Sequence, residues 1–140
     1  MNTRQSVKET IAPAERAYLV GVDWKWTPDG KYVDDAWPAS ESLVELYRLA
    51  ETANLQVVGQ AVQQLDRPHP STFIGAGKAR EIAEDVRMMD VDVVIFDDEL
   101  SPRHQRDLES IFGRDVKVID RTGLILDIFA LHAHTREGSL

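Results

Sequence analysis

The stretch from Val91 to Gly138 constrains this chain most. Val91-Asp92-Val93-Val94-Ile95-Phe96 is a short, nearly continuous apolar run. A strand buried on both faces reads this way, and such strands belong to parallel sheets covered on two sides. An acidic turn follows, Asp97-Asp98-Glu99. Ser101 then stands in a capping position and Pro102 at the first helical position, so a helix is predicted over Pro102 to Phe112. Val116 to Ile119 is a further strand, and Thr122 to roughly Thr135 a strongly apolar helix. Parallel neighbours need a crossover connection, which a helix supplies.

The upstream half extends the alternation. Ala17 to Asp23 is an apolar, β-rich run and the expected first strand. A helix follows, with Leu43, Leu46, Tyr47, Ala50 and Ala53 on one face. Ser40 or Ser42 is its expected cap, Ser42 and Glu45 having capping-box spacing. Leu55 to Leu65 is the second strand, and Pro68 and Pro70 make Asp66 to Ser71 a loop. Lys78 to Met89 is a helix with Ala79, Ile82, Ala83, Val86 and Met89 inward. The expectation is an α/β fold: a four-stranded, mainly parallel sheet in the order 2-1-3-4, helices on both faces. Between the first strand and first helix, Thr27-Pro28-Asp29-Gly30 is a turn flanked by Trp24, Trp26, Tyr32 and Trp37. Residues 1–14 show no period and are expected to be a flexible arm.

Composition narrows the function. The chain has no cysteine, so disulfides and thiolate metal sites are excluded, which fits a cytoplasmic location. No apolar run reaches the ~18 residues that cross a bilayer, so no membrane partner is expected. The formal charge of -8 makes the whole surface a poor binder of phosphate backbones, and any nucleic-acid contact must be a local basic patch.

Five segments in order carry a resemblance: Leu49-Ala50-Glu51-Thr52-Ala53; Pro70 to Lys78; Phe96 to Pro102; Val116 to Thr122; and Leu124 to Ala130 with Thr135 to Gly138. From about Glu15 to Gly138 the chain resembles the N-terminal domain of HflX-type GTPases. The resemblance implies an α/β domain over 15–120. It also implies that 121–140 begins a helical subdomain, cut off before a GTPase domain. It implies association with the large ribosomal subunit and its RNA, and regulation of the attached GTPase domain. GTP and magnesium would belong to that missing domain, so the chain alone is not expected to be an enzyme and carries no cofactor. ATP binding is a further possibility that the family suggests, with no motif to locate it.

The candidate residues leave alternatives open. Gly75-Ala76-Gly77-Lys78 resembles part of a phosphate loop, but Thr72 stands where the first glycine belongs and Ala79 where the magnesium hydroxyl belongs. It is either a glycine turn into a helix or a weak phosphate contact by Gly75, Gly77, Lys78 and Arg80. Asp97, Asp98 and Glu99 follow a strand, and Asp23 and Asp120 end two others. Ligands bind beyond such strand ends. The cluster could hold magnesium in a receiver-like module, the alternative function, or be solvated acids near helix N-termini. The four histidines suggest no metal pair, and no metal or catalytic site is expected. Lys78, Arg80, Arg103, Arg106, Arg121 and Arg136 are the candidate RNA contacts. In the last helix Leu124, Ile128 and Leu131 lie on one stripe, Ile125, Phe129 and His132 on the next. So wide an apolar face predicts a partner, and self-association through Leu124, Ile128, Phe129 and Leu131 is the expectation.

Overall fold

The computed structural model describes residues 13–25 and 38–138. The expected turn at Thr27–Gly30, the aromatic residues Trp26, Tyr32 and Trp37, and nearly all of the expected arm lie outside the described residues. The elements run β1 (Arg16–Trp24), α1 (Ala39–Thr52), β2 (Gln56–Leu65), α2 (Ala76–Met88), β3 (Val93–Phe96), α3 (Pro102–Phe112), β4 (Lys117–Asp120) and α4 (Arg121–Gly138).

The strands form one sheet in the order β2-β1-β3-β4, every neighbour parallel, as the alternation predicts. Two apolar layers sandwich it. On one face α1 and the first turns of α4 cover Ala17, Leu19, Val93, Ile95 and Ile119, with Leu43, Leu46 and Leu124 pressed against them. On the other, α2 and α3 cover Tyr18, Val20, Val94, Phe96 and Val118 through Ile82, Val86, Leu108 and Phe112. Alternate residues of each strand point to opposite faces, so the short runs of β3 and β4 feed both layers. The four residues of β3 are all buried, which is what its continuous apolar run required.

Helix ends follow local chemistry. Asn54, Asp90 and Gly113 sit just past α1, α2 and α3 with φ of 64°, 52° and 119°. Asn54 and Asp90 have the positive φ that closes a helix and are residue types that tolerate it, while Gly113, with ψ of 157°, takes an extended positive-φ conformation open to glycine. Ser101 caps α3 as expected: its hydroxyl accepts from the His104 N–H at 3.1 Å, and the Ser101 N–H reaches back to His104 Nδ1.

Three expectations need correction. Ser42 does not cap α1; the helix starts at Ala39 after Pro38, whose carbonyl accepts from Glu41 and Ser42. Pro38 starts the helix earlier, so Ser42 and Glu45 lie inside it and turn toward α4. Tyr47 and Met89, expected inward, are partly exposed, Tyr47 at the edge of its helical stripe and Met89 as the residue that ends α2. Leu124, expected on an outer stripe, is 1% exposed and belongs to the core, while Leu126 and Phe129 face out at 61% and 66%.

Leu19 is fully buried in the central strand. Leu19→Ala should therefore lower unfolding free energy by about 2–5 kcal/mol in a urea titration. A loss below about 1 kcal/mol would show that this layer is not packed as described.

Candidate functional site

In an open parallel sheet the crevice for a ligand lies where neighbouring strands send their connections to opposite sides, here between β1 and β3. The carboxyl ends of β1, β3 and β4 deliver Asp23, Trp24, Asp97, Asp98, Asp120 and Arg121 to this rim. The expected acidic cluster is thus in place, but the carboxylates of Asp23, Asp97, Asp98 and Asp120 are individually engaged.

Asp23 accepts from the Ala39 N–H at 2.6 Å and so holds the start of α1. Asp97, whose side chain is 8% exposed, accepts from the Ser42 hydroxyl and from Arg121 Nε and Nη2. Arg121 also reaches Glu45 at 3.0 Å and donates to the Ser42 carbonyl at 3.2 Å. Asp120 accepts from Leu100 N–H at 2.9 Å and from Gly123 N–H at 2.8 Å, tying the acidic turn to the first turn of α4. Asp98 accepts from Trp24 Nε1. Burial raises the Asp98 pKa, more than the Trp24 hydrogen bond lowers it; the Asp97 charge adds to the rise. Glu99 is exposed. Among the described residues no group of three or more His, Asp or Glu side chains is arranged to hold a metal ion. The geometry therefore gives a receiver-like magnesium site no support: the acids serve as helix and turn ties.

A second assembly closes the rim from the loop after β2. His69 and Phe73 exchange two backbone hydrogen bonds. Phe73 is buried yet has φ of 66°, a conformation costly for a large side chain. Edge-on ring contacts to Trp24 (5.7 Å), Phe96 (6.2 Å) and His104 (5.4 Å) hold it there. The His69 carbonyl accepts from His104 Nε2 at 3.1 Å, so the residue that completes the α3 cap also anchors this loop. Nothing in the sequence marked this plug beyond a histidine three residues after the capping serine.

Gly75 and Gly77 open α2. Gly75 is its N-cap with an ordinary φ of -59°, and its N–H donates to Gln63 Oε1 at 3.0 Å. Open space surrounds Gly77. Lys78 lies 3.7 Å from Glu81, and Ala79 is fully buried where a magnesium-binding hydroxyl would be needed. These residues do not fit a closed nucleotide-phosphate cradle. Of the basic candidates, Arg80, Arg103 and Arg106 are exposed, with Arg103 3.7 Å from Asp107. They lie with Lys78 on α2 and α3, which cover the same sheet face. Arg121 is held within the rim, and the side chain of Arg136 lies outside the described residues.

Comparison with known proteins agrees on one family. Residues 40–130 match the family model described as GTP-binding GTPase N-terminal. The chain is 44% identical over 126 residues to GTPase HflX of Lacrimispora saccharolytica, covering 90% of the chain and 27% of that protein. It is 46% identical over 100 residues to GTPase HflX of Escherichia coli, covering 71% and 23%. For GTPase HflX of Flavobacterium psychrophilum the figures are 45% over 128 residues, 91% and 29%. The chain thus spans about a quarter of the length of these relatives. Among solved structures it resembles a GTP-binding protein from the archaeon Sulfolobus solfataricus in complex with GDP. The TM-score is 0.58 at 23% identity, over 84% of this chain and 30% of that one. A crystal structure of the SsGBP and GDP complex gives 0.61 at 24%, over 84% and 29%. At that identity the structures support the fold.

Two outcomes test the rim. Removing the charge of Arg121 by Arg121→Met leaves Asp97 facing no cation, and should cost up to about 3 kcal/mol in chemical denaturation. Asp98→Asn keeps an acceptor for Trp24 without a buried charge. Because the folded pKa of Asp98 is raised, the wild type loses stability as pH climbs from the unfolded carboxylate value through the folded one. Asp98→Asn should thus be the more stable protein at neutral pH and lose that advantage in acid. A stability difference that is flat with pH would contradict the burial of this carboxylate.

Proposed function

The chain belongs to the N-terminal domain family of HflX-type GTPases, and on that premise we propose that it is a docking and regulatory domain rather than a catalytic one. In a longer protein of this kind it would contact the large ribosomal subunit and bias the activity of a GTPase domain attached after α4. GTP and magnesium would be held by that other domain; this chain's own residues supply docking contacts and rigid support.

The observation that carries this is the closed rim. Where an α/β sheet ordinarily admits a small ligand, Arg121, Asp97, Ser42, Trp24 and Asp98 satisfy one another. What remains for function is surface. Lys78 and Arg80 at the start of α2, and Arg103 and Arg106 on α3, place four basic side chains on one side of an acidic domain, interspersed with Glu81, Glu84, Asp85, Asp107 and Glu109. On the opposite sheet face Leu126 and Phe129 of α4 stand exposed, an apolar face suited to protein contact. Basic side chains at one side suit an RNA backbone, and the apolar helix suits the chain's own neighbouring domain.

Co-sedimentation of the longer protein with purified large ribosomal subunits tests the docking role. Binding should weaken as salt rises, because few phosphate contacts must work against a net negative domain. Charge reversal at Lys78 with Arg80, and separately at Arg103 with Arg106, should reduce it and lower the salt slope by about one for each phosphate no longer neutralised. Binding untouched by both pairs would remove the basic side as the docking surface. A titration of this chain alone with fluorescent GTP should give no tight complex, since the cradle lacks its first glycine and its hydroxyl.

A further inference from the structure

One carboxylate bonds the lead-ins of two helices that lie on opposite faces of the sheet. Asp120 is the last residue of β4, and α4 begins at Arg121 with no connecting loop. Its Oδ1 accepts from the Gly123 N–H at 2.8 Å. It therefore caps α4, whose first N–H groups have no acceptor within the helix. Its Oδ2 accepts from the Leu100 N–H at 2.9 Å. Leu100 stands immediately before Ser101, the cap of α3. Each oxygen thus serves a different helix.

The two helices differ in what they carry. α3 bears Arg103 and Arg106, both exposed, over the sheet face that it shares with α2. α4 lies over the other face and is the last element of the chain. Both lead-ins are packed as well as bonded. Leu100 is buried in the layer beneath α2 and α3, and Leu124, next to Gly123, in the layer beneath α1 and α4. Other ties do not join the same two points. Arg121 fastens α4 to α1 and to the end of β3, which carry none of the basic pairs. Gln105 of α3 donates to the Val118 carbonyl at 3.0 Å, inside β4, where pairing with β3 holds the main chain.

We propose that Asp120 is the positioning residue that couples the basic helix α3 to the angle of α4, a role that rests on the docking and regulatory function proposed above. A partner held by Arg103 and Arg106 shifts the start of α3 and, with it, Leu100. Close packing leaves little slack there, so the Asp120 carboxylate follows or its bond breaks. With no loop between β4 and α4, a shift of that carboxylate is a shift of the α4 cap. α4 in turn leads toward the attached GTPase domain. Asp120 therefore acts on the linkage between docking and hydrolysis and not on either alone.

Two substitutions separate coupling from folding. Asn and Ser are good helix caps, but each offers one oxygen where Asp120 offers two. Asp120→Asn and Asp120→Ser should therefore keep the α4 cap and lose the bond to Leu100. In the longer protein both variants should fold by circular dichroism, hydrolyse GTP at the wild-type basal rate and co-sediment with large ribosomal subunits. Couplings between sites typically amount to about 5- to 150-fold. The wild-type ratio of subunit-stimulated to basal hydrolysis should lie in that range, and both variants should bring it toward one. Linkage gives a second, equilibrium reading. The ratio of subunit affinities with a non-hydrolysable GTP analogue and with GDP should depart from one in the wild type and return to one in the variants. Hydrogen exchange on the wild type needs no variant: peptides containing Leu100 and Gly123 should change protection together when subunits bind. Variants stimulated as strongly as the wild type overturn the role of Asp120, as does loss of subunit binding itself or a change at one peptide alone. A wild type that binds subunits with no effect on hydrolysis or on nucleotide-dependent affinity overturns the regulatory function instead, and the role of Asp120 with it.

Discussion

The bond between Arg121 and Asp97 is the contact on which the arrangement of elements most depends. It joins the first residue of α4, the residue after β3 and, through Ser42 and Glu45, the second turn of α1. Those three elements are distant in sequence and share no strand pairing that fixes their relative angle. A guanidinium presents several donors in a planar fork, so one side chain can satisfy a carboxylate, a carbonyl and a second acid together. With Asp97 almost fully covered, the ion pair is costly to break from one side only. α1 and α4 are thereby held side by side over one sheet face, and the strand ends between them are shut.

That closure fills the strand ends at which a sheet of this order ordinarily admits a ligand. Trp24 and Phe73 fill the opposite side of the same rim, with His104 joining the Phe73 loop to α3. The strained backbone at Phe73 is tolerated because three rings and a pair of main-chain bonds determine its place. The rim is thus filled from both sides, and the exposed groups lie on the outer surfaces: basic helix positions over one sheet face, apolar side chains of α4 over the other.

The sheet order and strand direction were legible because the continuous run at Val93–Phe96 and the regular helix–strand alternation admit few topologies. Ser101 and Pro102 marked α3 through capping chemistry that acts within four residues. The start of α1 was misread for a related reason. Ser42 and Glu45 have the spacing of a cap, but their partners are Asp97 and Arg121, which only tertiary structure brings near. The acidic cluster was located correctly at the strand ends, while its hydrogen-bond partners were hidden for the same reason. The width of the α4 apolar face was visible; that Leu124 goes inward and Phe129 outward depends on where β3 and β4 lie beneath the helix.

The all-parallel order has a temporal consequence during synthesis. No strand of this sheet can pair with its neighbour in a local hairpin, so each pairing waits for a helix-length crossover to leave the exit channel. β1 is made first but becomes the sheet's interior only when residues 93–96 arrive. Arg121, which fastens α1 to the far side of the domain, emerges after all four strands. Until then Asp97 has no guanidinium and α1 no fixed angle. The contact that joins α1 to α4 is therefore the last of these to become available as the chain lengthens.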